Sequence, residues 1–186
     1  MNKSDYVIRV LESPSDIDAG QWNQLLSSQS QPTPFMQHEY LLALHQSRSA
    51  TPATGWTPRF MTLSDAQTTL VAASPLYPKT HPYGECVFDW AWAEAHQRHG
   101  IEYYPKLLSA IPFTPVRGHR LLAAHDDAKR HPIAAALALE KDTSSPKVLF
   151  TSPGRAKLLA KRGLTWRPNL PSLRPPAAQS KLRVTS

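Results

Sequence analysis

A mixed α/β domain built around a central sheet is the fold class this sequence predicts, and three observations predict it. Short segments rich in strand-forming residues alternate with segments of helical apolar spacing, in the order β, α, α, β-hairpin, α, extended, α, β, α. The 186 residues suffice for one domain with a substantial core and are too few for two full-sized ones. No run approaches the roughly 20 apolar residues that cross a bilayer. The longest clearly apolar run is Ile133 to Leu139, so no membrane span is expected.

The first strand is Tyr6-Val7-Ile8-Arg9-Val10-Leu11, rich in β-branched residues and broken by Ser13-Pro14-Ser15-Asp16. Asp16 or Asp18 can cap a helix that runs to about Ser27, with Ile17, Trp22, Leu25 and Leu26 on its buried side. After a polar, proline-bearing loop, His38 to His45 reads as a second helix with Tyr40, Leu41, Leu42 and Leu44 as its apolar contacts. Arg59 to Leu63 and Thr69 to Leu76 read as strands, and Ser64-Asp65-Ala66-Gln67 between them has turn chemistry, which predicts an antiparallel hairpin. Pro75, Pro78 and Pro82 then predict an end to the strand and an irregular connection.

Gly84 to His99 reads as a helix with Phe88, Ala91 and Ala95 along one side. Tyr103 to Ala110 reads as a turn or short helix, and Ile111 to Val116, with two prolines, as extended but irregular. Ile133 to Lys141 is a predicted helix, Lys147 to Phe150 a strand, and Gly154 to Arg162 a helix stopped by Gly163. The reading therefore places one domain at residues 1–165. Residues 166–186 form a basic, proline-rich tail without apolar periodicity, expected to be disordered.

The formal charge of +7 is unevenly spread. Residues 1–146 hold 12 Lys/Arg against 14 Asp/Glu, whereas residues 147–186 hold 9 Lys/Arg and no acid. A basic end can neutralise phosphates, so a non-catalytic binding module whose tail contacts RNA or another anionic partner is one functional class to weigh. A solvated tail is the plainer account, because no aromatic residue follows Trp166 to stack on bases. Cys86 is the single cysteine, which excludes an internal disulfide and a cysteine-based zinc site and fits a reducing cytoplasm. There is no P-loop, no G-x-G-x-x-G and no G-x-S-x-G, and seven glycines supply no phosphate-cradling loop.

The segment from His81 to Trp92 carries the richest chemistry. On a helix, Glu85, Asp89, Trp92 and His96 share one face, and two carboxylates one turn apart beside a histidine can supply a general base or hold a cation. The same spacing is also that of an ordinary solvated stripe. His96 and His99 lack a matching third ligand, so no metal is expected. Tyr103, Tyr104 and Lys106 form an aromatic-basic group suited to an anionic ligand, or equally to solvent.

Several phrases resemble a family of bacterial Fem-like N-acyltransferases related to peptidoglycan biosynthesis. They are residues Thr68 to Lys79, Tyr83 to Ala93, Tyr103-Tyr-Pro-Lys-Leu-Leu108 and Pro112-Phe-Thr-Pro-Val116, with Gly118 and Arg120 just after. The resemblance runs from about Gln37 to Thr165. It implies a GNAT-like acyltransferase domain, a central mixed sheet flanked by helices, used twice in full-length members. It also implies transfer of an acyl or aminoacyl group to an amine acceptor, the donor being acyl-CoA or, through a tRNA partner, aminoacyl-tRNA. Glu85 and Asp89 are then the residues to test as bases, and Tyr83, Trp92, Tyr103, Tyr104 and Lys106 as substrate-binding residues. With one such domain present, the chain is expected to be truncated, to transfer little on its own, and to self-associate through an exposed domain edge.

Overall fold

The computed structural model describes residues 6–81, 83–84, 94, 97–100, 103–125, 128, 146–149 and 165–167. Within them the strands are β1 (Val7–Leu11), β2 (Arg59–Ser64), β3 (Leu70–Lys79), β4 (Lys106–Ser109), β5 (Leu122–Ala123), β6 (Pro146–Leu149) and β7 (Thr165–Arg167). Two α-helices, α1 (Ala19–Ser27) and α2 (His38–Gln46), separate β1 from β2. The strands form one sheet in the order β1-β2-β3-β4-β6-β7, with β5 beside β3. Pairing is antiparallel from β1 to β4 and parallel from β4 through β6 to β7. The predicted mixed α/β class is the observed one.

The turn residues fix the hairpin. Asp65 Oδ1 accepts from the backbone N–H of Gln67 at 3.0 Å and of Thr69 at 2.9 Å, which closes the β2–β3 connection. At α1, Asp18 is the N-cap and accepts from Gln21 N at 2.7 Å. Asn23 of α1 caps the next helix. Its Oδ1 accepts from His38 N at 2.9 Å, while its amide donates to the Glu39 carboxylate at 2.9 and 3.0 Å. The Glu39 carboxyl is held below its ordinary pKa by its own backbone hydrogen bond and then by Asn23.

Period-2 alternation divides the sheet into two faces. Phe60, Ala73, Tyr77 and Leu108 point to one face and join Trp22, Leu25, Leu26, Met36 and Leu41 in the main core. Met61, Leu63, Ala72, Leu76 and Leu107 point to the other face and are also buried. Trp22, fully buried, donates from Nε1 to Met36 O at 2.8 Å and so locks α1 to the turn before α2.

Four readings of the sequence are corrected. First, β3 runs through Pro75 and Pro78. In an antiparallel strand a residue's N and O face the same edge. Pro75 O accepts from Ser109 Oγ at 3.2 Å, on the edge where β5 has ended at Ala73 and β4 has not begun at Tyr77. Pro78 O accepts from Thr57 N at 3.2 Å, beyond the last β2 pair, Arg59↔Leu76. Each proline thus lacks its N–H where no strand would receive it. Second, residues 106–109 form strand β4, not a turn or helix: pairing with Tyr77–Lys79 overrides the weak local preference of Lys-Leu-Leu-Ser. Third, Gly84 has φ 79° and lies in a turn, so it is outside any helix. Glu94, Gln97 and Arg98 are helical, His99 already lies in a turn, and residues 85–93, 95 and 96 of the predicted 84–99 helix fall outside the described residues. Fourth, the short strands β5 and β7 have no counterpart in the sequence reading. Strand β7 reaches Arg167, two residues past the expected domain end at 165, and residues 168–186 lie outside those described, as do the predicted helices 133–141 and 154–162.

Candidate functional site

Strand β3 ends in a polar cluster on the face that carries the helices. Alternation from buried Tyr77 puts Lys79 on the same face, and the register sets Lys106 of β4 directly opposite Lys79. Both lysines are 0% exposed. Burying an ammonium costs several kcal/mol before its partners repay it, so two facing lysines in an apolar strand pair mark a place built around charge. Lys79 Nζ donates to Tyr83 O at 2.7 Å and lies 4.1 Å from the centroid of the Trp56 ring. Lys106 Nζ lies 5.6 Å from the Tyr103 ring and 5.4 Å from the Tyr104 ring, and those two rings meet edge-on at 5.0 Å. Both lysines make interactions beyond these.

Trp56 is the hub. It is 1% exposed, bridges to Lys79 through its backbone, and packs edge-on against Tyr77 at 5.3 Å. Its outer side meets Phe113 at 5.6 Å. An aromatic chain therefore runs from Trp22 through Phe60, Tyr77 and Trp56 to Phe113, that is, from the core to the surface. Phe113 is 45% exposed and holds φ 58°, a left-handed conformation that is uncommon for a bulky residue and costs of order 1–3 kcal/mol. Tyr83 is 61% exposed, with its ring 5.3 Å from that of His81.

Two glycines make the cluster possible. A Cβ on Gly55 (φ 73°) would come within 2.1 Å of His81 Nε2. A Cβ on Gly84 (φ 79°) would come within 2.5 Å of Phe113 Cε1 and 2.9 Å of Trp56 Nε1. The Trp56 indole N–H and His81 Nδ1 are buried atoms with no hydrogen-bond partner among the described residues.

The His81 imidazole sits below its ordinary pKa of 6.5, first through desolvation and then through the charge of Lys79. Both causes oppose the imidazolium, so the ring is neutral at pH 7. Stability linked to this ring is present above pH 6.5 and is lost as pH falls below it, where the unfolded chain takes up the proton first. Following the His81 ring protons by NMR should give a titration midpoint below 6.5. A midpoint at or above that value would contradict the assigned environment.

Of the expected site residues, the structure brings Tyr103, Tyr104 and Lys106 together and ties Tyr83 to the same cluster through Lys79. Glu85, Asp89 and Trp92 lie outside the described residues. The sequence reading passed over Trp56 and gave no site role to Lys79, His81 or Phe113, although these three fall in the segments it singled out. A lysine closing an otherwise apolar strand was the available signal for Lys79. Trp56 and Phe113 carry none until the fold brings them together. No cluster of three or more His, Cys, Asp or Glu suited to a metal occurs among the described residues, and no described helix is long and apolar enough to cross a membrane.

No curated protein and no solved structure matches the chain. The family model FemAB-like, described as peptidoglycan biosynthesis/recognition, matches residues 13–171. That span takes in the core helices, all of β2 to β7 and every residue of the cluster at the end of β3, and it covers most of the 186 residues. The resembling phrases also hold the two buried lysines, Lys79 of β3 and Lys106 of β4. The chain belongs to the FemAB-like family of peptidoglycan biosynthesis/recognition.

Proposed function

We propose that the cluster at the end of β3 serves N-acyl transfer, holding an acyl or aminoacyl donor beside an amine acceptor. The observation that carries this reading is the pair of facing buried lysines, Lys79 against Trp56 and Lys106 against Tyr103 and Tyr104, with Lys79 joined to the turn from which the Glu85–Asp89 segment departs. In the reaction, the neutral amine attacks the acyl carbonyl carbon, a C–N bond forms, and the carbonyl π pair moves to oxygen. A base removes the ammonium proton. The oxyanion then collapses and expels the thiolate of CoA or the ribose oxygen of tRNA, which takes up a proton. Glu85, the residue after Gly84, and Asp89 are the proposed bases. Lys79 is a positioning residue, because it holds the carbonyl of Tyr83 and so sets the turn. Tyr83 and Phe113 form the mouth, with Trp92, Tyr103, Tyr104 and Lys106 as further binding residues. The reading includes a GNAT-type scaffold, supported by a run of antiparallel strands giving way to parallel β4–β6–β7. It also includes self-association along β1, the sheet edge where Val7, Ile8 and Val10 are exposed.

Calorimetric titration with acetyl-CoA and with alanyl-tRNA tests this reading. One of the two donors should bind, and Phe113→Ala should weaken it about tenfold, or ~1.4 kcal/mol. Because Phe113 is half-exposed, the variant should keep its fold. Failure of both donors to bind, or equal binding by the variant, would contradict the assignment.

A further inference from the structure

A third buried cation lies outside this cluster. Arg120 is 1% exposed. Its Nη2 donates to Val116 O, whereas Nε and Nη1 are buried with no hydrogen-bond partner among the described residues. The ion pairs among those residues are Arg59–Glu12 and Arg98–Glu94, and neither touches Arg120. Burial lowers the guanidinium to about 10, which leaves it a cation at neutral pH. A buried guanidinium with idle donors is costly and cannot escape by losing its proton.

The 28–34 and 116–120 loops meet at it. A Cβ on Gly118 would sit 3.3 Å from Arg120 Nη1 and 3.1 Å from Thr33 Cγ2, so a side chain at 118 would crowd both the guanidinium and the 28–34 loop. Next to Gly118, His119 is 5% exposed and its Nε2 lies 2.9 Å from Ser30 Oγ, which joins the 116–120 loop to the 28–34 loop. Thr33 also lines a groove of about 300 Å³, with Asn23, Leu26, Ser27, Pro32 and Gln37 among others.

We propose that Arg120 anchors a second ligand site, between the 28–34 and 116–120 loops, for a small oxyanion: a carboxylate or a phosphate. A guanidinium presents planar N–H donors that match such oxygens, and an ionic acceptor gives hydrogen bonds roughly twice as strong as a neutral one. The ligand supplies the negative charge that no described residue brings to Arg120. It is independent of the acyl-transfer reading, and either can fail alone.

The test is thermal unfolding of the full chain in titrations of sodium phosphate and of sodium acetate, with ionic strength held constant by NaCl. One of the two anions should raise the melting temperature saturably in the wild type. Arg120→Lys, which keeps the charge and loses the fork, should raise the apparent Kd at least tenfold. In parallel, the Arg120 Nε–H resonance of the wild-type protein should shift with the same Kd, a readout that does not depend on the variant folding. Phosphate alone identifies a phosphate-bearing ligand, and acetate alone a carboxylate. Unfolding no different from that in NaCl for both anions, or an Arg120 resonance that does not move, would overturn the proposal and leave buried water as the partner of Arg120.

Discussion

Trp22→Ala is expected to cost about 5 kcal/mol, close to the whole stability of many domains. The indole is fully buried where α1, Met36 and Phe60 meet, and it packs edge-on against Phe60 at 6.3 Å. Deleting a buried aromatic costs roughly 3–5 kcal/mol in transfer and cavity terms. The Met36 carbonyl also loses its donor, which adds about 1–3 kcal/mol for a buried unsatisfied group. Urea unfolding should show either a midpoint shifted by the greater part of the transition or no folded baseline at all. A shift equivalent to less than about 2 kcal/mol would mean that α1 is not fixed through this tryptophan.

Gly84→Ala is expected to be the most damaging small substitution at the site. Two penalties add. A left-handed backbone costs a non-glycine residue roughly 1–2 kcal/mol. The new methyl must also displace Phe113 and the Trp56 indole, since it would lie 2.5 and 2.9 Å from them, and overpacking of this kind costs about 1–3 kcal/mol. For a chain of this length a loss of ~3 kcal/mol lowers the melting temperature by roughly 6–12 °C. Because Phe113 and Trp56 are the groups displaced, donor binding should fall together with stability. A melting temperature unchanged within 2 °C, read by calorimetry, would show that the turn relaxes freely and does not brace the site.

The elements legible in the sequence were those whose signal is local. Asp18 could cap only a helix beginning beside it, and Trp22, Leu25 and Leu26 at helical spacing could face only one side; both readings hold. Asp65 likewise announced its turn. What was not legible depends on neighbours far along the chain. Lys-Leu-Leu-Ser becomes β4 because Tyr77–Lys79 offers it an edge. Pro75 and Pro78 fit a strand only because their partners end or begin beside them. The site divides the same way. Tyr103, Tyr104 and Lys106 are neighbours in sequence and were singled out together. Trp56 and Phe113 are 57 positions apart, and only the packing of two loops against β3 brings their rings to 5.6 Å.

The most direct test of the central claim is to map where the acyl group of a donor lies. A photoreactive acyl-CoA and an aminoacyl-tRNA carrying a photoreactive acyl group would be cross-linked to the full chain, and the labelled peptides located by mass spectrometry. The account predicts labelling by one donor within residues 80–84 and 111–117, which hold Tyr83 and Phe113, and its loss when unlabelled donor competes. Labelling confined to residues 168–186, or none from either donor, would contradict it.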